Sequence, residues 1–258
     1  MVIPSNIKLF LKRFPVAYRV AQDFYPHLTL LMAALKGKRG WKEHLKSTWS
    51  RLRQEVVIKG RPMNITIEPT NACNLLCPIC ETGAGTLDRE EGNMTLEDFQ
   101  VIMNKVGPYT NTLMYYFMGE PFLNKQSYEM IRYAKDIGIP FITTCTNGDP
   151  VNPEKLIESG LDEVNFQIGG MTQETHEIYR INSNLERILT ALKETIRLKR
   201  KQNSKIRVLA GFIVMKHNEH EVEAFQNHMA VLGVDGTTIL DPCVRNMEQG
   251  EKFLPKEK

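Results

Sequence analysis

The 258-residue sequence contains no long hydrophobic run. Its best candidate, Leu28 to Leu35, is far shorter than the ~20 apolar residues that span a bilayer, and basic residues follow it at once. The small-residue cleavage pattern of a secretory signal peptide is also missing. These absences predict a cytoplasmic protein.

Low-complexity segments are missing too, and there is no internal repeat beyond a β/α alternation. Apolar residues make up 42% of the chain and charged residues 24%, a balance that excludes collagen, coiled coil and wholesale disorder. Cysteine is scarce: there are five, of which Cys73, Cys77 and Cys80 lie close together. In a reducing compartment such a group indicates metal or redox chemistry rather than disulfide bonds.

Charge is unevenly distributed along the chain. Residues 1–62 hold 13 Lys and Arg against 3 Asp and Glu, whereas the remainder holds 20 against 27. No strand pattern is present in residues 5–60, so we expect residues 1–62 to be a basic helical extension that packs on the body. The alternative is contact with a membrane surface or a protein through this basic segment, which would make the protein peripheral to the membrane. Nucleic-acid binding is not expected, because only charge would support it.

Strand and helix patterns alternate over residues 63–240. Six β-then-α units with short connections predict a parallel sheet with right-handed crossovers. A partial barrel and an open doubly wound sheet both fit, and in either one ligands gather at the carboxyl ends of the strands. The predicted strands are 64–68, 112–117, 140–145, 164–168, 206–214 and 236–240. The predicted helices are 95–106 with Thr95 as its cap, 125–137, 153–159, 174–202 with a break at 182–184, and 219–232, and residues 241–258 are predicted to be a tail.

The three neighbouring cysteines follow the first strand in one loop, as Cys73-x3-Cys77-x2-Cys80. A cubane iron–sulfur cluster normally takes four cysteines, so three would leave one iron open to a small ligand. Zinc is a second interpretation and would need a fourth ligand such as Cys145 or Cys243. A thioredoxin-type pair, Cys77 with Cys80, would leave Cys73 unexplained, and the polar flanks are a poor pattern for buried structural thiols.

This spacing resembles the cysteine motif of the radical S-adenosylmethionine (SAM) superfamily, and further motifs of that family follow in the right order. The resemblance implies a (β/α)6 partial TIM barrel in which Cys73, Cys77 and Cys80 bind a [4Fe-4S] cluster. It implies that the open iron chelates SAM, which an electron cleaves to a 5′-deoxyadenosyl radical that abstracts hydrogen from a substrate. A reductant such as a flavodoxin or ferredoxin is implied as partner. The substrate, a peptide or a small metabolite, is not identified by the sequence.

The resemblance also implies residues for SAM binding at the ends of the second and third strands. Met118-Gly119-Glu120-Pro121 is similar to the Gly-Gly-Glu-Pro motif of the family. There Glu120 would pair with the amino group of SAM, and Gly119 would permit close backbone approach. Asn147 stands in a segment similar to the Thr-Asn-Gly of relatives.

Three more candidates on the same grounds lie in or follow later strands, and a fourth, Ile79, lies in the cysteine loop. Gln167 would contact the ribose hydroxyls, and Arg180 the SAM carboxylate. Gly169 stands where relatives have Asp, so a contact made by that Asp is in doubt. Ile79 and Val214 would flank adenine, although Ile79 replaces an aromatic residue and cannot stack.

Within the superfamily, the motifs most resemble members with a carboxyl-terminal SPASM-type extension that binds auxiliary clusters. Beyond Cys145 the chain offers only Cys243, so we expect this extension to be absent or truncated. The alternative function is an iron–sulfur or metal-binding carrier, or an electron-transfer module, without SAM chemistry. In that case Glu120, Asn147 and Gln167 would have no ligand.

Overall fold

The computed structural model describes residues 40–256. By its contacts the chain divides into two compact units, Met1–Met63 with Pro108–Asn111, and Asn64–Gly107 with Thr112–Lys258. Within the described residues, no helix combines the length and the apolarity needed to cross a bilayer.

The described part of the first unit holds one helix, α1, over Trp41–Leu52. The guanidinium of Arg61 lies 5.0 Å from the ring centroid of Tyr109, and the Arg61 amide donates to Glu43 Oε2 at 3.0 Å. A helix in this part of the basic extension is therefore confirmed. The basic amphipathic stretch around Ile7 and Phe10 lies outside the described residues.

Six parallel strands form the sheet of the second unit, in the order in which they follow along the chain. A doubly wound sheet reverses its strand order at a switch point, whereas consecutive order winds in one direction as in a barrel. The first and last strands are not paired, so the sheet is an open, partial (β/α)6 barrel, as predicted. The strands are β1 Asn64–Thr66, β2 Thr112–Met114, β3 Phe141–Thr146, β4 Glu163–Ile168, β5 Arg207–Ile213 and β6 Gly236–Leu240.

At least one helix follows each strand, and several of these helices begin at a residue whose polar side chain caps them. Thr95 caps the first of them, because its Oγ1 accepts from Asp98 N at 3.1 Å, and Asn184 Oδ1 accepts from Arg187 N at 2.9 Å. Asn182 has a φ of 70°, which confirms the predicted break at residues 182–184. The helices are α2 Leu96–Val106, α3 Ser127–Asp136, α4 Pro153–Glu158, α5 Gln173–Tyr179, α6 Leu185–Lys201, α7 Val222–Leu232 and α8 Met247–Phe253.

A large apolar cluster, called here the main core, joins one face of the sheet to the helices. Leu113, Ile142 and Phe166 of the strands are fully buried in it. Phe99 of α2 meets Tyr115 edge to face, with 5.9 Å between ring centroids. The alternation of buried and partly exposed residues along β4 leaves the polar side chains of Glu163, Asn165 and Gln167 on the other face.

The predicted ends of two strands in the second unit were wrong. Strands β1 and β2 end at Thr66 and Met114, earlier than expected, so Phe117 lies in a loop with 69% of its surface exposed. Within the segment predicted to be a tail, α8 forms and buries Phe253. The segment Met247–Phe253 carries only two apolar residues, too few for a helical period to show.

Candidate active site

The loop after β1 carries the three cysteines and is held in place by hydrogen bonds to distant residues. Asn71 donates through Nδ2 to Glu90 O at 2.9 Å and accepts at Oδ1 from Gly92 N at 2.7 Å. Farther on, the Leu76 amide donates to Ile181 O at 3.1 Å. The loop is therefore held on one side by residues 90–92, which follow it in the chain, and on the other by Ile181, just after α5.

The thiols lie in a second apolar cluster, separate from the main core, which we call the cysteine-loop cluster. Cys77 is 8% exposed in it, while Cys73 and Cys80 pack against it with partial burial. Its members come from the cysteine loop, from the end of α5, from the loop after β5 and from α8: Leu75, Cys77, Ile79, Tyr179, Met215 and Phe253.

Burial favours the protonated form of Cys73 and of Cys77 in the iron-free chain. It raises the pKa of Cys73 to about 11, against a hydrogen bond from Leu75 N that lowers it. Burial also raises the pKa of Cys77, and the nearby positive charge of Arg180 opposes this shift. Only the deprotonated thiolate binds metal, so binding of iron must release the protons of these thiols.

The described donors do not converge on a site for a single ion. Within residues 40–256, no group of three or more His, Cys, Asp or Glu side chains is placed to hold one metal ion. Structural zinc needs four ligands that converge on one point, whereas the cysteines of a cubane cluster bind different irons. The described donors therefore give the zinc interpretation no support.

Glu120 follows β2 and is buried at the carboxyl ends of the strands, with 2% of its surface exposed. Its Oε1 accepts from Phe122 N at 3.2 Å and from Thr146 Oγ1 at 2.7 Å, and its Oε2 accepts from Asn147 N at 2.7 Å. A carboxylate offers about four acceptor positions, so one is left on Oε2. Burial is the main cause that raises the pKa of Glu120 to about 7, and a cation bound beside it would favour its charged form.

Asn147 joins Glu120 to the cysteine loop. Besides the backbone bond to Glu120, its Nδ2 donates to Asn74 Oδ1 at 2.8 Å and lies 4.0 Å from Cys73 Sγ. Asn74 in turn donates to Asp149 Oδ2 at 3.1 Å. Three predicted residues, Cys73, Glu120 and Asn147, are thus brought together, and Asn74 and Asp149 are contacts that the sequence did not indicate.

Gly119 has a φ of 74°, and the close approach that it permits is to the chain itself. A Cβ at this position would lie 2.6 Å from the carbonyl oxygens of both Thr70 and Ala72. The Glu120 amide donates to Ala72 O at 2.8 Å. Gly119 therefore lets the loop after β2 pack against the start of the cysteine loop.

Arg180 ends α5 and is 7% exposed, yet its Nε has no hydrogen-bond partner within the described chain. Its charge lowers the pKa of both Cys77 and Glu120, so it acts on both sides of the site. A Cβ at Gly169 would lie 3.2 Å from Arg180 Cγ and Cδ, and the missing side chain thus makes room for the arginine. A buried, incompletely bonded guanidinium is costly unless an anion binds to it.

Gln167 of β4 lies over Gly211 of β5, its partner in the sheet register. A Cβ at Gly211 would collide with the Gln167 amide, so only glycine leaves this side chain its position. Gly211 thus makes space for the Gln167 side chain, a role that the sequence did not indicate.

The two candidates for adenine lie in different places. Ile79 is buried in the cysteine-loop cluster, while the Val214 side chain packs against the main core. The Val214 amide donates to Leu240 O at 2.8 Å. Next to it, Met215 is fully buried in the cysteine-loop cluster, which the sequence gave no reason to expect.

His176 of α5 is a structural residue that supports the chain just after β4. Its Nδ1 accepts from Gly169 N at 3.1 Å, so Nε2 carries the proton toward Ser183 Oγ at 2.9 Å. Burial is the main cause that lowers its pKa to about 3, which keeps the ring neutral. Asn218 completes the support, because its Nδ2 donates to Gly169 O at 2.9 Å and to Ile213 O at 3.0 Å.

Three thiols in a buried loop, a carboxylate and an unsatisfied guanidinium stand at the carboxyl ends of the strands of a partial barrel. Such a site suits an iron–sulfur cluster with a small zwitterionic ligand. Residues 67–229 match the family model described as Radical SAM superfamily, and the chain belongs to that superfamily. Members of that superfamily use a [4Fe-4S] cluster and SAM.

Several curated relatives are similar over part of their length. An AdoMet-dependent heme synthase of Methanosarcina barkeri is 29% identical over 48% of this chain and 36% of its own. A probable GTP 3′,8-cyclase of Saccharolobus solfataricus is 24% identical over 70% of this chain and 58% of its own. The chain thus spans between about a third and three fifths of the relatives that it matches.

Solved structures of radical SAM enzymes share the fold. SuiB of Streptococcus suis, bound to S-adenosylmethionine, has a TM-score of 0.64 at 14% identity, over 94% of this chain and 56% of that one. Methylornithine synthase (PylB) has a TM-score of 0.56 at 15% identity, over 84% and 64%. Both likenesses support the partial barrel.

Proposed function

We propose that Cys73, Cys77 and Cys80 hold the cluster and that the neighbouring strand ends bind SAM. The observation that carries the SAM assignment is Arg180, a buried cation with an unsatisfied Nε whose charge reaches both Cys77 and Glu120. The carboxylate of SAM is the anion that would satisfy it by a charge-assisted bond. Reductive cleavage of SAM is the chemistry that the two cofactors supply when bound.

The other side chains orient the ligand. Glu120 would accept from the amino group of SAM at its remaining Oε2 position, and the three bonds from its own chain hold it ready. Asn147 would keep the cysteine loop and Glu120 in register through its contacts with both. Gly119 would allow this packing of the two loops.

Farther along the sheet we assign the nucleoside part of SAM. Gln167, held over Gly211, would meet the ribose hydroxyls, and Ile79 with Val214 would border adenine. Val214 would contact adenine through its backbone carbonyl, because its amide is bonded to Leu240 O and its side chain packs against the main core.

The substrate is inferred to be a polar metabolite or a peptide. On the sheet face away from the main core, Asn165 Nδ2 donates to Thr238 Oγ1 at 3.0 Å, which leaves Asn165 Oδ1 buried with no partner in the described chain. A hydroxyl or N–H group of a substrate would satisfy it. The named reactions of the relatives, heme synthesis and GTP cyclisation, are two candidates of this polar kind.

The superfamily implies an external reductant, and we propose that a flavodoxin or a ferredoxin is that reductant. Residues 63–240 would form the catalytic core and residues 1–62 a basic extension that contacts a protein or a membrane surface, in a cytoplasmic enzyme.

An anaerobic assay tests the proposal. The full chain is reconstituted with iron and sulfide, reduced with dithionite and given SAM, and 5′-deoxyadenosine is measured by chromatography. We expect this product from the wild-type protein. An intact cluster that yields none would contradict the proposed SAM site.

The role of Arg180 is tested by Arg180→Gln, with Arg197→Gln at an exposed arginine of α6 as the matched control. Arg180→Gln should keep the cluster absorbance and weaken SAM binding in calorimetry by about tenfold or more, the scale of a lost bond to a charged group. Equal SAM affinity in the two variants would exclude Arg180 as the carboxylate ligand.

A further inference from the structure

The cysteine-loop cluster includes one member from the carboxyl-terminal segment of the described chain, Phe253 of α8. Phe253 is 4% exposed, and its ring meets Tyr179 edge to face with 6.2 Å between centroids. Cys77 and Ile79 of the cysteine loop are buried in the same cluster. Phe253 therefore belongs to the apolar cluster in which the central thiol of the motif is buried.

Hydrogen bonds hold α8 in this position from the side of the β5–α7 loop. The Lys216 amide donates to Phe253 O at 3.0 Å, and the Lys256 amide donates to Glu219 Oε2 at 2.8 Å. Asn246 caps the helix, because its Oδ1 accepts from Gln249 N at 2.8 Å. The helix is thus fixed on both sides of Phe253.

A second attachment reaches the cysteine loop itself. Arg245, just before α8, forms an ion pair at 3.0 Å with Glu81, the residue that follows Cys80. Both side chains are partly exposed, so this pair contributes less than the apolar contact of Phe253. Together the two contacts join residues 245–253 to the loop on both sides of its last two cysteines.

We propose that α8 is a cover for the cysteine loop and that Phe253 is a positioning residue for Cys77. Phe253 keeps the apolar side of the loop closed to water and small reagents, and Arg245 with Glu81 holds the edge of the cover. The importance of the cover for a cluster rests on the proposed function, but closure over the thiols is a property of the iron-free chain. Solvent exposure is one of the factors that set the reduction potential of iron–sulfur clusters, so closure bears on electron entry.

Thiol alkylation in the full-length, iron-free protein tests closure directly. Each cysteine is followed with N-ethylmaleimide by peptide mass spectrometry in wild type, Phe253→Ala and Phe253→Leu. A thiol protected by a locally opening segment reacts in proportion to the population of the open form. We expect Phe253→Ala to speed alkylation of Cys77 by about tenfold and Phe253→Leu by less, because loss of buried aromatic contacts makes opening easier.

The chain provides its own controls. Cys145 lies on β3, away from α8, and should keep its rate, while exposed Cys243 should react fast in every variant. Phe225→Leu, a substitution in the main core, should show no selective rise at Cys77. Glu81→Gln, which breaks only the ion pair, should raise Cys77 alkylation by no more than about fivefold.

An unchanged Cys77 rate in the Phe253 variants would overturn the proposal, and so would an equal rise at Cys77 and Cys145. The same variants, loaded with iron and sulfide, should lose their visible absorbance to EDTA faster than the wild type. A wild-type chain that takes up no iron would refute the proposed function while leaving the alkylation result valid. Normal iron uptake with unselective alkylation would refute the cover alone.

Discussion

The main core and the cysteine-loop cluster are built in opposite ways. The main core joins strands and helices that follow one another along the chain, and its members are almost all apolar. The cysteine-loop cluster draws on four separated segments, none of them a strand, and polar groups such as Asn147, His176 and Asn218 support the loops around it. The comparison teaches that stability and chemistry are largely divided between the two regions.

Removal of one thiol should show this division most clearly. Cys77→Ala should lose the cluster entirely, since two thiolates of the motif cannot hold it, while the secondary structure persists because the main core is untouched. Iron and sulfide per chain, together with far-UV circular dichroism, measure both effects. Cys145→Ala is the control and should keep its cluster; a full cluster in Cys77→Ala would disprove the ligand assignment.

A cavity in the main core should lower the stability of the protein without removing the cluster. Phe99 is fully buried against Tyr115 and Tyr133, so Phe99→Ala should lower the free energy of unfolding by about 3–5 kcal/mol in urea titrations. Under native conditions the variant should still bind a full complement of iron. A loss below about 1 kcal/mol would mean that the main core does not carry the stability of the unit.

Glu120 shares a property with each region. It is buried like a residue of the main core, and it is proposed to bind SAM at the site. Glu120→Gln should keep the cluster and weaken SAM binding by roughly 1.5–3 kcal/mol, the range for a hydrogen bond to a charged group. Isothermal calorimetry on the reconstituted protein measures this affinity. Exposed Glu129→Gln is the matched control, and the same affinity in both variants would leave Glu120 with a structural role only.

His176 offers the smallest and most selective test, through pH. Its pKa is about 3 in the folded chain against 6.5 for a free histidine, so below pH 6.5 the unfolded state takes up the proton first. Stability from this group is therefore lost as the pH falls from 6.5 toward 3, at up to about 1.4 kcal/mol per pH unit.

His176→Asn should remove this dependence, because its Oδ1 can still accept from Gly169 N but carries no titrating proton. Urea unfolding of both proteins at pH 7, 6 and 5 measures the two slopes. We expect the wild type to lose stability more steeply than the variant, and parallel slopes would show that His176 is accessible to protons in the folded chain.

Local patterns predicted most of the fold. The position of β6, the cap at Thr95 and the break near Asn182 were all readable, because hydrophobic period, side-chain capping and left-handed backbone depend on neighbouring residues. Strand ends were less accurate. Nothing local to Tyr115 shows that the ladder has stopped before Phe117.

The site was predicted unevenly. Cys73, Cys77 and Cys80 stood out as candidates because cluster binding requires cysteines at a fixed spacing in one loop. Gly119 was expected to permit close backbone approach to SAM, and the approach in the structure is to the chain's own loop. Phe253, Met215 and Asn218 gave no signal in the sequence, because each is an ordinary residue whose position only the packing reveals.

The sequence by itself determined the alternation of strands and helices, the cysteine motif and, through both, the superfamily. Only the tertiary structure decided that Arg180 is buried with an unsatisfied Nε, that Glu120 bonds to the end of β3, and that α8 lies over the cysteine loop. The reason is physical. Secondary structure follows from residues a few positions apart, whereas burial and ligand geometry follow from contacts between segments that only folding brings together.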